Sequence, residues 1–200
     1  NTMPEKTVQK EPGKKPAPSK KPKPQQEVVV QISLSELHPF PDHPFQVRED
    51  ASMQETAESV KEYGVLVPAL ARPREDGGYE LIAGHRRKHA CELAGLATMP
   101  VIVRDIDRDA ATIIMVDSNL QRENILPSER AKAYKMKMEA IKRQGARTDL
   151  TSPKISAKFR SDDEVGQDAG VSGDTIRNYI ALTQLVPELQ QMVDEKRIAL

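Results

Sequence analysis

Three basic residues follow a glycine in the segment 79–90, YELIAGHRRKHA. Gly84 stands between a predicted strand and a predicted helix, where the free backbone N–H groups of a first helical turn can bind an anion. Arg86, Arg87 and Lys88 add positive charge at the same place. The pattern predicts an anion site, most readily one for phosphate. The alternative is a solvated helix face, which such residues form about as often.

A second polar group lies in the segment 117–127, DSNLQRENILP, after an apolar helical stretch. Asn119, Gln121 and Arg122 supply amide and guanidinium donors there. These donors can bind a ligand, or Asn119 can cap the C-terminus of the helix. The chemistry of this segment alone favours the capping role.

The segment 161–183 has the plan of a helix-turn-helix unit. A short helix at 162–169 and a second helix at 173–183 are predicted, with Ile176 and Ile180 facing inward. The candidates for contact with double-stranded DNA are Ser172, Asp174, Thr175, Arg177 and Asn178. Arginine reads guanine and asparagine reads adenine in the major groove. A plain helical hairpin is the alternative.

A unit of strands and helices must position the first of these segments. Strands are predicted at 27–33, 69–72, 79–83 and 101–103, and helices at 52–63 and 85–94. Ser52 is predicted to cap the first helix and Gly64 to end it. Residues 76–78, Asp-Gly-Gly, predict a hairpin turn. The proline-rich segment 37–50 is interpreted as loop throughout.

Beyond residue 105 the pattern predicts helices only, at 109–119 and 128–144, with a polar linker at 145–161. The predicted fold class is therefore α+β, with a small α/β domain followed by an all-helical helix-turn-helix domain. The predicted divisions are a tail at 1–27, the α/β domain at 28–105, a helical linker at 106–148 and the DNA-binding domain at 149–200.

The charge of the chain is unevenly distributed, although its 30 Lys and Arg balance 30 Asp and Glu. Residues 1–27 are rich in lysine and proline and poor in apolar residues, so we predict a disordered basic tail. Its expected use is a weak attraction to phosphates, shared with Lys154, Lys158 and Arg160. A solubilising leader is the alternative.

Composition also excludes several classes of protein. No run of about 18 apolar residues occurs, so we expect no membrane-spanning segment. Cys91 is the single cysteine, which excludes an internal disulfide and a cysteine-based zinc site. A reducing cytoplasm is the expected compartment.

The polar segments occur in the order seen in the ParB family of chromosome and plasmid partition proteins, which the chain resembles over about residues 28–200. Members carry a Gly-Glu-Arg-Arg box after a strand and a Glu-Asn-x-x-Arg box downstream. Here the boxes read Gly84-His85-Arg86-Arg87 and Ser118-Asn119-Leu120-Gln121-Arg122. HPFPDHPFQVR is similar to the family's proline-rich Gln-x-Arg segment, and SVKEYGVLVPALAR is similar to its helix, Gly-Val-Leu and strand.

The resemblance implies a ParB/sulfiredoxin-like domain that binds CTP with Mg²⁺ and uses it to close a dimeric clamp on DNA. Carried over position by position, the CTP-binding residues are Gly84, His85, Arg86, Arg87, Asn119, Gln121 and Arg122. Among them Asn119 would assist the metal, and Arg122 would hold the phosphates or the clamp. The resemblance also implies a homodimer, a partner partition ATPase and a location in the cytoplasm on the nucleoid or a plasmid.

Three positions depart from the family pattern. The first-box glutamate, linked to CTP hydrolysis, is His85 here, and the second-box glutamate is Ser118. Neither a neutral imidazole nor a hydroxyl replaces a carboxylate near Mg²⁺, so we expect CTP binding with weak or no hydrolysis. Gly173 stands where members commonly have a basic residue, so the family's DNA site cannot be assumed for this chain.

Other functions remain open on these residues. A nucleotide-independent transcriptional regulator of a mobile element is favoured by His85 and Ser118, whereas a ParB-like nuclease lacks the carboxylate cluster it needs. Sulfiredoxin, which shares the fold, has its catalytic cysteine at the position of His85, and Cys91 lies too far along the helix. Members end in a separate dimerisation domain. Because this chain stops at Leu200 in a predicted continuing helix, we expect a fragment or a protein without that domain.

Overall fold

A five-stranded mixed sheet forms the centre of the N-terminal half. The structure, a computed structural model, describes residues 27–122, 124–149 and 161–199. The strands are β1 (Val29–Ser33), β2 (Leu37–Pro39), β3 (Ala69–Pro73), β4 (Tyr79–Ala83) and β5 (Thr98–Val103). Their order in the sheet is β1-β5-β3-β4-β2. The β1–β5 and β3–β4 pairs are antiparallel, whereas β3–β5 and β2–β4 are parallel.

Seven α-helices and one short 3₁₀ helix, Leu34–Glu36, accompany these strands in the described residues. The α-helices are α1 (Ala51–Tyr63), α2 (His85–Leu93), α3 (Arg108–Leu120), α4 (Pro127–Asp149), α5 (Ser161–Ala169), α6 (Gly173–Leu182) and α7 (Pro187–Asp194). Within the described residues, none combines the length and the apolar character needed to cross a bilayer.

The two faces of the sheet bury separate apolar clusters. Leu81 packs with residues of α1 and α2, including Met53 and Cys91. The next residue, Ile82, packs with residues of α3 and α4, including Met115. Successive side chains of a strand point to opposite faces, so β4 is covered on both sides. Packing on both faces fixes the position of the end of β4, which leads into Gly84 and the basic residues 86–88.

Helix α4 joins the sheet-containing unit to the helix-turn-helix unit. Its Ala133 belongs to the cluster on the sheet, and its Tyr134 packs with Val165 of α5 and Ile176 of α6. Two adjacent residues of α4 therefore pack in different apolar cores, one on the sheet and one in the helix-turn-helix unit. The predicted α+β class and the predicted helix-turn-helix helices are confirmed.

Two expectations for the sheet are wrong. Leu37–Pro39 is a strand rather than loop, because it pairs in parallel with β4 at the sheet edge, where proline's missing N–H costs no sheet bond. Strand β5 begins at Thr98 rather than after Pro100. Pro100 pairs only with β1, since the pairing with β3 begins at Val101.

The helix limits also differ from expectation at three places. Helix α1 is capped by Asp50, whose carboxylate accepts from the Met53 backbone N–H at 2.9 Å, and not by Ser52. Helix α4 continues to Asp149, into the predicted linker. The helix expected to continue at the end of the chain stops at Asp194, and Lys196 follows with φ 59°. Residues 1–26 and the cationic Lys154, Lys158 and Arg160 lie outside the described residues.

Candidate phosphate-binding site and nucleic-acid interface

Gly84 forms the junction between β4 and α2. Its φ is 109°, and a Cβ there would lie 2.8 Å from the Cβ of Ala69 on the neighbouring strand. Glycine is needed because the backbone is left-handed and the strand is close. The close approach of β3 therefore requires glycine at this position.

Arg86, from the segment 79–90, and Arg122, from the segment 117–127, line the same cavity of about 370 Å³. Arg86 donates to the Ser52 hydroxyl at 3.1 Å and lies 3.8 Å from the Asp50 carboxylate. Partial burial, and then the charge of Arg86, lower the pKa of Arg122. A guanidinium group is positively charged at neutral pH in proteins. The cavity therefore holds concentrated positive charge.

Carboxylates and a third arginine share this cavity. Glu129 is 7% exposed, and its carboxylate accepts from the backbone N–H of Gln46 at 3.1 Å and of Leu126 at 3.2 Å. It also lies 3.7 Å from Arg48. Glu129 thus ties the loop before α1 to the start of α4. Arg48 and Glu129 were not among the predicted site residues, although Arg48 belongs to the Gln-x-Arg motif that could have indicated it.

Arg87 is directed away from this cavity. Its guanidinium donates to the carbonyl oxygens of Val67 at 2.5 Å and Pro68 at 2.7 Å. It lines a different groove, beside the loop that follows α1. Consecutive residues of a helix are about 100° apart around its axis, so adjacent arginines diverge. Burial lowers the pKa of Arg87.

His85 packs against His43 at the start of α2. Their ring centroids are 3.9 Å apart, and the rings are tilted by 43°. Burial, the neighbouring His43 and the charge of Arg122 lower the pKa of His85 to about 3. His85 is therefore neutral at physiological pH, and its Nε2 is buried without a hydrogen-bond partner.

Asn119 is 2% exposed near the end of α3. Its Nδ2 donates to the Met115 carbonyl at 2.8 Å, which leaves Oδ1 buried without a partner. Ser118 donates to the same carbonyl at 2.9 Å. The C-cap residue is Gln121, which is exposed, so the capping role suggested for Asn119 is wrong.

Asn119 is a candidate protein ligand for a magnesium ion, although it is not among the residues that line the cavity of Arg86 and Arg122. Amide and carboxylate oxygens are the ligands Mg²⁺ prefers, and Asn119 Oδ1 is an amide oxygen with an unused lone pair. Among the residues that the structure describes, no three His, Cys, Asp or Glu side chains could hold a metal together. Most ligands would therefore have to be phosphate oxygens and water.

The helix-turn-helix unit presents a polar outer face on α6. Ser172 is its N-cap, and its hydroxyl accepts from the Thr175 backbone N–H at 3.1 Å. Asp174, Arg177 and Asn178 are exposed, whereas Ile176 is buried. Arg177 forms ion pairs with Asp174 and with Asp162 of α5.

The predicted site residues thus fall into separate places. Arg86 and Arg122 share the cavity, and His85 adjoins Arg86 in sequence. Arg87 lines another groove, and Gln121 is exposed at the helix end. The DNA-facing candidates occupy a helix of a different unit.

This arrangement is that of a mixed α/β unit joined through a long helix to a helix-turn-helix unit. The ParB N-terminal domain matches residues 18–120, more than half of the chain. The chain belongs to the ParB family.

Curated relatives and solved structures agree with this assignment. The chromosome-partitioning protein Spo0J of Thermus thermophilus is 35% identical over 171 residues, 85% of this chain and 56% of the relative. Stage 0 sporulation protein J of Bacillus subtilis is 31% identical over 175 residues, covering 88% and 56%. The chain spans about half the length of these relatives.

A C-terminally truncated chromosome-partitioning protein ParB from Caulobacter crescentus, in complex with the centromeric parS site, is similar in structure. Its TM-score is 0.56 at 27% identity, covering 85% of this chain and 80% of that one. A Pnob8-like ParB N-domain has a TM-score of 0.57 at 17% identity, covering 86% and 75%, which is a likeness of fold alone.

Proposed function

We propose that this chain is the nucleotide- and DNA-binding part of a partition protein. In this proposal CTP is bound by residues 28–105 together with the second motif box. Double-stranded DNA is bound by residues 149–200. The segment between them, 106–148, connects the two units. CTP promotes closure of a homodimer around the DNA. The carrying observation is that Arg86 and Arg122, from two motif boxes far apart in sequence, line one cavity.

The charges of the cavity support a polyanionic ligand. Arg48, Arg86 and Arg122 contribute three positive charges, against the carboxylates of Asp50 and Glu129. The Asp50 contact to Arg86 is long, at 3.8 Å, and half of the Asp50 side chain is exposed. Because charge-assisted bonds to phosphate are stronger than such a contact, a triphosphate can displace Asp50.

Mg²⁺ would be held mainly by the nucleotide in this proposal, with Asn119 as a protein ligand. The bound ion would neutralise phosphate charge and orient the phosphates. Hydrolysis is expected to be slow or absent, because neither the imidazole of His85 nor the hydroxyl of Ser118, which donates a hydrogen bond to the Met115 carbonyl, supplies a carboxylate's negative charge. No carboxylate stands at either position.

The test of the nucleotide proposal is a calorimetric titration of the chain with CTP, ATP and GTP in the presence of Mg²⁺. We expect CTP to bind at least about tenfold more tightly than the other two, a difference of about 1.4 kcal/mol. Repeating the titration with EDTA measures the metal contribution. Equal affinity for all three nucleotides would contradict the proposed CTP specificity.

The outer face of α6 supports recognition of DNA, with Arg177 and Asn178 as the base-reading candidates. Asp162 and Asp174 hold Arg177 in place in the absence of DNA. Acidic neighbours weaken attraction to phosphates but can orient a guanidinium toward a base edge.

The proposed partners beyond DNA are a second copy of the chain and a partition ATPase. The proposed location is the cytoplasm, on a nucleoid or plasmid.

Arg177→Ala is expected to weaken binding to a cognate duplex by about 1–3 kcal/mol, or roughly 5- to 150-fold. Fluorescence anisotropy with the duplex that the unchanged chain prefers and with a scrambled duplex measures this loss. Arg197→Ala is the matched control, because Arg197 is exposed and lies beyond α7. If the two variants lose equal affinity, α6 is not the reading helix.

A nucleotide-independent regulator of a mobile element is the second candidate. It is favoured by the Asp50–Arg86 contact, which occupies part of the cavity, and by the loss of both motif glutamates. This candidate predicts sequence-specific DNA binding that CTP leaves unchanged. The calorimetric titration, repeated with DNA present, separates it from the clamp.

A further inference from the structure

His43, in the loop between β2 and α1, and His85, at the start of α2, each have one buried nitrogen without a hydrogen-bond partner. His43 Nε2 and His85 Nε2 are buried and make no hydrogen bond, although the rings are in contact at 3.9 Å. Unpartnered buried polar atoms are costly, and each needs an explanation. A ligand that enters beside the pair can supply such a partner.

One of these nitrogens can be assigned as an acceptor. His43 Nδ1 lies 2.7 Å from the Phe45 carbonyl oxygen, which can only accept, so Nδ1 carries the proton. In the neutral ring Nε2 is then an unprotonated nitrogen with a free lone pair. It can bind a proton without disturbing the Nδ1 bond.

The pair adjoins the cavity lined by Arg86 and Arg122. Arg86 is the chain neighbour of His85, and Phe45, which also lines the cavity, is the hydrogen-bond partner of His43. The charge of Arg122, which lines the cavity, also acts on both rings.

The charged groups around the pair disfavour a protonated imidazole. Arg122 acts on both rings, and Lys88 acts on His85 from within α2. Glu129 is the one opposing carboxylate, and it acts on His43. Burial is the largest cause that lowers the pKa of each ring, and His43 also lowers the pKa of His85.

We infer that His43 and His85 form a proton-accepting part of the phosphate site, which takes up one proton when a polyphosphate binds beside Arg86 and Arg122. This inference rests on the proposed function, because the ligand is the nucleotide's phosphate chain. The proton comes from solvent and binds to Nε2 of one ring. The new Nε2–H donates to a phosphate oxygen, so the nitrogen of that ring gains a partner.

The sign of the pH effect follows from linkage. The ligand's negative charge favours the imidazolium, so the pair holds more protons in the complex than in the free chain. Affinity then rises as pH falls, by up to about tenfold per pH unit for one proton, between the free and bound pKa values. Protonation of the phosphates themselves acts in the opposite direction.

The experiment is calorimetric titration of CTP at about pH 6.5 in two buffers of different ionisation enthalpy, which counts the protons taken up per ligand. We expect uptake of up to one proton in the unchanged chain. The His85→Gln and His43→Gln variants should lose this uptake. His38→Gln is the matched control, because His38 lines a different cavity and should leave the proton count unchanged.

A second readout does not depend on the folding of the variants. Nitrogen NMR of the histidine rings in the unchanged chain should show the Nε2 of His43 or His85 becoming protonated as CTP is added. CTP binding without proton uptake would overturn this inference and leave the proposed function intact. If CTP fails to bind, inorganic tripolyphosphate is the probe. Binding with proton uptake would then support the pair, and no binding would overturn both proposals.

Discussion

Replacing both Asp117 and Asp168 by asparagine is expected to destabilise the chain far more than replacing Lys137 by methionine. The Lys137 side chain is 1% exposed, and its Nζ donates to Asp117 at 2.6 Å and Asp168 at 2.8 Å. The double change leaves a buried ammonium without a counter-charge, which costs about 3–5 kcal/mol. Urea unfolding of each variant measures the difference.

The methionine variant should be milder because the carboxylates can hydrate. The side chains of Asp117 and Asp168 are 45% and 56% exposed, so neither becomes a buried charge when Lys137 is lost. We expect a change of about 1 kcal/mol or less, since an apolar side chain of similar length keeps the packing. Lys135→Met, on the exposed face of α4, is the control. Equal losses for the double variant and Lys137→Met would contradict this account.

The pH dependence of the same contact has a definite sign. Burial lowers the pKa of Lys137, but the hydrogen bonds to Asp117 and Asp168 outweigh it and raise the pKa overall. A raised pKa in the folded chain gives stability that is complete below the unfolded value of about 10.5. This contribution is lost as the pH rises through the folded pKa. It should be absent from the methionine variant.

This lysine also joins the two halves of the molecule. Asp117 lies in α3, two residues before Asn119 of the second box, and Asp168 lies in the first helix of the helix-turn-helix unit. Lys137 comes from α4, between them in space. Lys137 therefore links α3 to α5 through two charged hydrogen bonds.

The sequence correctly predicted those strands and helices whose limits are set by residues close to them in sequence. Tyr79–Ala83 is a strand as expected, because Asp76-Gly77-Gly78 provides a hairpin turn before it. Gly64, with φ 72°, ends α1 as expected. Strand β2 was missed because its support is a parallel partner about forty residues away, which no local pattern reveals.

The candidate site was predicted only in part for the same reason. The motif boxes indicated Arg86 and Arg122, but no pattern within either box predicts that Arg87 turns to the carbonyls of Val67 and Pro68. The role of Glu129 depends on a contact across 83 residues to Gln46. Such contacts follow from the packing of α4 on the sheet unit.

Arg122→Ala is expected to weaken nucleotide binding strongly, whereas Arg87→Ala should weaken it little. Arg122 lines the cavity, and a lost charge-assisted bond to phosphate costs about 1.5–3 kcal/mol, or roughly 10- to 150-fold in affinity. Arg86→Ala should lose a similar amount. Arg87 already donates to two backbone carbonyls, so its removal should change affinity less than about threefold and lower stability instead.

Calorimetry with CTP and urea unfolding, applied to all three variants, separate these effects. Arg74→Ala is a suitable control. Arg74 and His38 line a different cavity from the one proposed to bind the nucleotide. A large affinity loss in Arg87→Ala, with Arg122→Ala unaffected, would reverse the assignment. It would mean that Arg87 leaves the Val67 and Pro68 carbonyls when the nucleotide binds, and that the loop after α1 moves with it.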